Sequence, residues 1–326
     1  MKQIIVDENQ AGQRLDKLLM KILNKVPKSF IYKMLRKKNI VLNGKKAQGS
    51  EIVQPEDEIK LYLADDTISK FSAWTDTAVE GYYLDIIYED NNILIINKPV
   101  GVLSQKSTGS DISIVEHVIS YMLAEKQITH EQLQSFRPGI CNRLDRNTGG
   151  LIIAGKTLVG LQEMARILRE RKLEKYYLCI VKGKIFDKKE IAGYLIKDTQ
   201  SNKVVITTEQ IGNSNYIVTQ YEPLAYSYEF TLLQVKLITG KSHQIRAHLS
   251  SIGHPIIGDY KYGDRTVNSF FLKKYGLKTQ LLHAYRYVFP QLLGPLSDLS
   301  DKEFLAPEPE IFNIIKRDLF KQNNLS

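Results

Sequence analysis

From Tyr83 onward, short apolar runs alternate with turns, and this spacing limits the fold more than any other feature. Runs at 84–89, 93–97, 150–154, 175–182, 203–207, 215–222, 228–237 and 283–289 have the length and residue types of strands. One amphipathic helix pattern stands among them, at 158–171, with Leu158, Leu161, Ile167 and Leu168 on its stripe. Repeated βαβ units need a helix after nearly every strand, and the pattern has too few. The expected class is α+β, with a mostly antiparallel mixed β-sheet flanked by helices. A last helix pattern, Glu308 to Leu319, carries Ile311, Ile314, Ile315 and Leu319, with acids ahead of the stripe and Lys316 and Arg317 behind its middle.

The N-terminal part reads differently. Apolar residues at 15, 18, 19, 22 and 23 form one helical stripe, which Pro27 interrupts. A second helix is expected from Ser29 to Lys38, with Phe30, Ile31, Met34 and Leu35 inward and Lys33, Arg36 and Lys37 on the opposite face. Ile40–Leu42 enters a tight turn at Asn43-Gly44, Lys45 and Lys46 extend the basic surface, and Glu58–Leu63 alternates as a strand. Residues 64–82 lack periodicity and read as a linker, with Ile68, Phe71 and Trp74 able to pack on either side.

Charge separates the two parts further. Residues 1–46 hold twelve Lys and Arg against three acids, so the whole net charge of +9 sits there, and the rest of the chain is balanced. A localised basic module fits a nucleic-acid contact better than a membrane-surface helix, whose apolar face would be more continuous. No run of about 18 apolar residues suggests a membrane span, and the N-terminus lacks a signal-peptide pattern. Cys141 and Cys179 make neither a disulfide framework nor a CxxC, which suits a reducing cytoplasm.

One loop holds a candidate reactive group. Arg137-Pro-Gly-Ile-Cys-Asn-Arg-Leu-Asp-Arg-Asn-Thr-Gly-Gly-Leu151 puts Asp145 between Arg143 and Arg146. Flanking positive charge favours the ionised carboxylate, which can act as nucleophile or base. Read alone, the same loop is a solvated turn with weak surface ion pairs. Two other segments invite chemistry and fail. Gly240-Lys-Ser lacks the glycine a phosphate loop needs at position 235, which is Val. His243, His248 and His254 are spaced five and six apart, not as a helical zinc pair, so no metal is expected.

The order of several segments is more specific than any one of them. The Asp145 loop resembles the Arg-Leu-Asp signature of the RluA-type pseudouridine synthase family, departing from it at Asn142, usually His, and Gly149, usually Ser. Ile87–Gly101, ending Asn-Lys-Pro-Val-Gly, is similar to the family's first motif. Lys175-Tyr-Tyr-Leu-Cys-Ile-Val-Lys-Gly183 resembles its Lys-x-Tyr motif, with Cys179 in place of Ala. Thr239-Gly-Lys-Ser-His-Gln-Ile-Arg-Ala-His248, continuing through Gly253–Gly263, and Leu282-His-Ala284 resemble the last two. Residues 12–63 resemble the small S4 (αL-type) RNA-binding domain. Together with Tyr262-Gly-Asp-Arg-Thr-Val-Asn268, they suggest the type C ribosomal large-subunit branch.

The resemblance implies an S4 domain at 1–63, a linker at 64–82 and a catalytic domain at 83–326. It implies that Asp145 is catalytic, that Arg246 pairs with it, that Tyr177 stacks on a base, and that Leu282–Ala284 is a core strand near the site. Ser242 is expected to cap a helix from His243 to Ile252 that Gly253 ends. Arg143 and the cations Lys33, Arg36, Lys37, Lys45 and Lys46 are the expected RNA contacts. The implied reaction turns uridine into pseudouridine in 23S rRNA, free or in an assembling large subunit, with no cofactor, by a cytoplasmic monomer. The alternatives are a tRNA or other rRNA target, or a non-catalytic S4 scaffold, which intact Asp145, Tyr177 and Arg246 disfavour. A glycosidase-like hydrolase needs two carboxylates, and one stands out.

Overall fold

The computed structural model describes residues 1–72, 79, 81–198 and 203–321. The chain begins with β1 (Lys2–Ile5), α1 (Leu15–Ile22), α2 (Lys28–Arg36), β2 (Ile40–Leu42), β3 (Lys45–Lys46), β4 (Glu58–Leu61) and α3 (Asp65–Phe71). Four of these form an antiparallel sheet in the order β1-β4-β2-β3. The expected stripes meet in one core of Leu15, Leu18, Leu19, Ile22, Ile31, Leu35, Ile40 and Ile59. Helix α3 lies inside the stretch read as linker. Its Ile68 enters that same core, and Phe71 meets Phe30 edge-on at 5.1 Å between ring centroids. Seven residues hold too few turns to show a period, but two apolar anchors suffice to dock them. Trp74 lies outside the described residues.

The larger part continues with β5 (Ile86–Glu89), β6 (Ile93–Lys98), α4 (Ile114–Ala124), β7 (Gly139–Ile140), β8 (Gly149–Gly155), α5 (Leu158–Arg169), β9 (Glu174–Lys182), β10 (Lys189–Lys197) and β11 (Val204–Thr207). Then follow β12 (Asn215–Tyr226), β13 (Phe230–Leu237), α6 (Gln244–Ser251), α7 (Arg265–Tyr275), β14 (Leu282–Val288), β15 (Glu303–Leu305) and α8 (Glu310–Phe320). Their strands make one mixed sheet ordered β11-β10-β12-β13-β9-β14-β8-β6-β5, with β15 on β14 and β7 on β8. Every pairing is antiparallel except β14 with β8, where His283 and Ala284 face Gly149 and Gly150. That contact is tight: Gly150 has φ +108°, and a Cβ there would stand 2.2 Å from the Ala284 carbonyl oxygen. Only glycine allows the loop before β8 to enter the sheet at this point.

Helices cover both faces. Met164 and Ile167 of α5 pack on Ile93, Ile95 and Ile153, while Val118, Ile119 and Met122 of α4 pack on Leu94, Ile96 and Ile152. Farther along, α7 and α8 cover Leu178, Ile180 and Leu232. On the opposite face of β9, Tyr177, Cys179 and Val181 meet Leu144 and α6, as strand alternation requires. The smaller part touches the larger one through Gln10 Nε2 donating to Ser135 Oγ at 2.7 Å and Leu158 N donating to Asn9 Oδ1 at 3.2 Å. Among the described residues, no helix is long and apolar enough to cross a membrane.

Two histidines are sealed into this framework, His248 on α6 and His283 on β14, both almost fully buried. Burial pushes each imidazole down to about 4. In the unfolded chain the value is about 6.5, so between these limits the unfolded chain binds protons that the folded one refuses. Their contribution to stability is therefore complete above pH ~6.5 and is lost as the pH drops towards 4, by an amount on the order of several kcal/mol. Thermal melts from pH 7 to 4.5 are expected to show a falling midpoint, with a shallower slope in His283→Gln. A flat profile across that window contradicts this account.

Candidate active site

The loop entering β8 is fastened before any reactive group is placed. Ser104 Oγ donates to the Leu144 carbonyl at 2.7 Å and accepts from Leu144 N at 3.0 Å. Lys98, buried at the end of β6, donates to the carbonyls of Pro99, Val102 and Arg146 at 3.0, 2.8 and 3.2 Å. Burial pulls its pKa down to about 8, and the charge of Asp145 opposes that fall. Arg146 turns away and donates from Nε to the Gly101 carbonyl at 2.9 Å. Asp145 is thereby held between a clamped Leu144 and a clamped Arg146.

The cation that meets Asp145 comes from far along the chain. Arg246 Nη1 donates to Asp145 Oδ2 at 2.7 Å. Its Nε and Nη2 make a fork onto Asp259, at 2.7 and 2.9 Å. Neither sequence neighbour, Arg143 nor Arg146, forms an ion pair with Asp145 among the described residues. The flanking charges read from the sequence are therefore not the partners. Adjacent residues on a tight loop point apart, whereas a residue on a facing helix can aim its guanidinium inward. Burial alone would lower the Arg246 pKa, but the hydrogen bonds and charges of Asp259 and then Asp145 raise it well above its ordinary value.

Asp259 has no solvent-exposed surface. It also accepts from Lys261 N at 2.9 Å and Tyr262 N at 3.1 Å through Oδ1. Burial pushes its pKa up, but the Arg246 contacts outweigh this and leave it below the usual carboxylate range. Asp259 lies inside the Gly253–Gly263 stretch, where sequence alone assigns it no role. Its signal was an acid between Gly258 and Tyr260 in a turn, which fits a solvated loop equally well.

Helix α6 begins one residue later than expected. His243, not Ser242, occupies the N-cap position, in the left-handed region at φ 57°, and no side chain caps the helix. Gln244 does the fastening instead. Its Oε1 accepts from Thr239 Oγ1 and Lys241 N, and its Nε2 donates to Val218 O and Thr219 Oγ1, at 3.0–3.1 Å. Gly253, at φ +84°, ends the helix as expected. Tyr262 OH accepts from Val204 N and sits 2.9 Å from His243 Nδ1, which leaves the imidazole Nε2 4.0 Å from Asp145 Oδ2. Burial lowers the His243 pKa, against the pull of Asp145.

These groups surround a cavity of about 450 Å³, lined by Arg143, Asp145, Lys175, Tyr177, Lys241 and Arg246 among others. The three residues read as catalytic, together with Arg143, thus share one space. Leu282 of β14 lines it too, so the expected core strand stands beside the site. Tyr177 is almost fully buried along one wall, and burial raises its hydroxyl well above the ordinary value. Lys33, Arg36, Lys37, Lys45 and Lys46 lie instead on α2, its end and the β2–β3 hairpin, all exposed. Among the described residues none of the five forms an ion pair. No group of three or more His, Cys, Asp or Glu there is arranged to hold a metal.

Asp259→Asn keeps the shape but turns one accepting oxygen into a donor against a buried guanidinium. Breaking a buried pair from one side costs about 3–5 kcal/mol. Urea unfolding is expected to move to lower concentration by that amount, and a shift under about 1 kcal/mol means Arg246 does not depend on Asp259.

Known proteins resemble this chain along most of its length. The RNA pseudouridylate synthase family profile matches residues 92–251, and the S4 domain profile matches residues 13–59. Ribosomal large subunit pseudouridine synthase D of Buchnera aphidicola is 30% identical over 283 residues, covering 84% of this chain and 85% of that protein. Ribosomal large subunit pseudouridine synthase C of Vibrio vulnificus is 28% identical over 303 residues, covering 89% and 90%. The solved structure of human RNA pseudouridylate synthase domain containing 4 shares the fold, with a TM-score of 0.56 at 23% identity, covering 72% of this chain and 92% of that one. With an S4 domain ahead of a mostly antiparallel mixed sheet, and relatives that match it along most of its length, the chain belongs to the RNA pseudouridine synthase family.

Proposed function

We propose that this enzyme isomerises specific uridines of 23S rRNA, with Asp145 as the catalytic carboxylate. The observation that carries the reading is the Arg246–Asp145 contact at 2.7 Å on the wall of a cavity that also holds Tyr177. The names of the type C and type D relatives support a large-subunit rRNA target for this chain. A uridine stacked in RNA cannot reach such a cavity, so the base must leave the helix, at a cost of a few kcal/mol. Phosphate contacts from Lys33, Arg36, Lys37, Lys45 and Lys46 offset that cost, and Arg143 at the cavity mouth meets the RNA nearby.

In this reading Arg246 keeps one Asp145 oxygen occupied and the carboxylate aimed into the cavity. The free oxygen attacks ribose C1′ or removes the C2′ proton. The glycosidic bond breaks, the base turns against Tyr177, and C5 rejoins C1′. The base is both leaving group and entering nucleophile, so the reaction needs no cofactor. Asp145→Asn keeps the size and removes the charge. Turnover of a 23S rRNA transcript should fall by more than about a thousandfold, with RNA affinity little changed. Near-normal turnover excludes Asp145 from the chemistry.

The division of the chain follows the same logic. We place the end of the S4 unit after α3, because Ile68 and Phe71 belong to its core, and residues from 83 onward form the catalytic unit. Deleting residues 1–72 is expected to leave a folded enzyme whose RNA affinity is weaker and less sensitive to salt, since the net charge of +9 lies within 1–46. Identical salt slopes for both forms remove the RNA contact from this unit. Mapping pseudouridines in total RNA from a strain lacking the gene distinguishes 23S rRNA from tRNA as the substrate.

A further inference from the structure

An ammonium group withdrawn from water without a counter-ion is costly, unless a ligand supplies the missing charge. Lys175, half-buried in the cavity wall, is in that position. It precedes Tyr177 by two residues on β9, so both side chains leave the same face of the strand, and both line the cavity. Its Nζ lies over Gly240, where a built Cβ would stand 3.6 Å from it. Among the described residues, Lys175 Nζ has neither a hydrogen-bond acceptor nor a carboxylate within reach. The adjacent Glu174 belongs to the other face, where Tyr176 OH donates to it at 2.6 Å and Lys236 pairs with it.

Burial lowers the Lys175 pKa, with no carboxylate beside it to oppose the fall. Among the described residues Lys175 makes no ion pair with Asp145, so the ammonium stands apart from the carboxylate, on the strand that carries Tyr177. A base whose ribose carbon faces Asp145 would direct its far edge towards Lys175. An RNA phosphate would meet the exposed Arg143, which lines the same cavity, before the half-buried Lys175.

We propose that Lys175 stabilises the uracil anion formed when the N1–C1′ bond breaks, by donating a hydrogen bond to a carbonyl oxygen of the base. The inference rests on the pseudouridine synthase reading of the site. On cleavage the bonding electron pair stays with N1, and the negative charge spreads over N1, O2 and O4. Asp145 forms a bond to C1′ or takes the C2′ proton, then is released or returns it. C5 forms the new bond to C1′, its proton leaves to water or a side-chain base, and N1 gains a proton. Lys175 stays protonated throughout, so it acts on the transition state for base departure and not as an acid.

The test compares single-turnover base release from a 23S rRNA transcript carrying uridine or 5-fluorouridine at the target. Fluorine already stabilises the anion, so that substrate depends less on the ammonium. Lys175→Met is expected to slow uridine release about a hundredfold, as for loss of one donor to a developing anion. On 5-fluorouridine the loss should shrink to under about tenfold. RNA affinity and its salt dependence stay unchanged, and Lys175→Arg recovers part of the rate. The substrate ratio is taken within one variant, so partial misfolding cancels, and Lys175→Gln replaces any methionine variant that fails to fold. Equal losses on both substrates overturn the inference. So does a loss confined to RNA affinity with a shallower salt slope, which would assign Lys175 to a phosphate. If the wild-type enzyme converts no uridine in hypomodified rRNA, the underlying reading fails and this inference fails with it; conversion by wild type with an unchanged Lys175→Met defeats this inference alone.

Discussion

The two ion pairs of Arg246 are the constraint from which the site follows. The guanidinium has donors in a fixed plane, and the structure divides them by direction: Nε and Nη2 to Asp259, Nη1 to Asp145. The first contact is a fork on a carboxylate with no exposed surface, so it fixes the plane of the guanidinium. The second then fixes where an Asp145 oxygen can lie. A lysine could satisfy the charge of either carboxylate but not both directions at once. Three separate segments are joined this way: the loop before β8, helix α6 and the turn after it. Asp259 is also tied to two backbone amides, so the turn supplies the rigidity on which Asp145 depends.

Much of this was legible in the sequence where the pattern was local. The strands with alternating apolar residues, the α1 and α2 stripes, and α5 and α8 lie where periodicity puts them. Elements that escaped did so for identifiable reasons. Helix α4, Ile-Val-Glu-His-Val-Ile-Ser-Tyr-Met-Leu-Ala, is apolar nearly all round and so shows no clean stripe. Its capping box was readable, since Ser113 and Glu116 have the required spacing and make both contacts. Strand β10 contains Gly193 and charged ends, which read as loop. A Cβ at Gly193 would stand 3.1 Å from Thr207 O on the neighbouring strand, tighter than ordinary contact. Helix α7 is capped by Asp264, whose side chain accepts from Thr266 N and Val267 N, but its stripe is short.

The site was legible in its residues and in the Arg246–Asp145 pair, but not in the partnerships that hold that pair. Asp145, Tyr177 and Arg246 could be named because ordered motifs carry them. Asp259, Ser104, Lys98 and Gln244 could not be given roles, because each makes at least one contact with a segment that sequence spacing does not place beside it. The expected effect of Arg143 and Arg146 on Asp145 shows the same limit. Charges adjacent in sequence need not be adjacent in space, and Arg146 is occupied by Gly101.

The two departures from the family motif have different physical consequences. Asn142 Oδ1 accepts from Ile153 N at 2.8 Å, and its Nδ2 donates to Tyr287 OH at 2.9 Å. A short amide thus ties the loop to β8 and β14 with both its polar atoms used, so this change leaves nothing unsatisfied. Gly149 is different. The His283 Nδ1 atom beside it is buried with no hydrogen-bond partner, while Nε2 faces Ala306 O at 3.4 Å. A side chain at 149 would place its Cβ 3.5 Å from that nitrogen, but also 3.2 Å from the Lys98 carbonyl and from Val100 Cγ2. A serine hydroxyl could satisfy the imidazole only by crowding the strand end that Lys98 holds. Glycine removes the crowding and leaves one buried acceptor unpaired. The departure therefore changes the support behind the loop and leaves the Arg246–Asp145 geometry untouched.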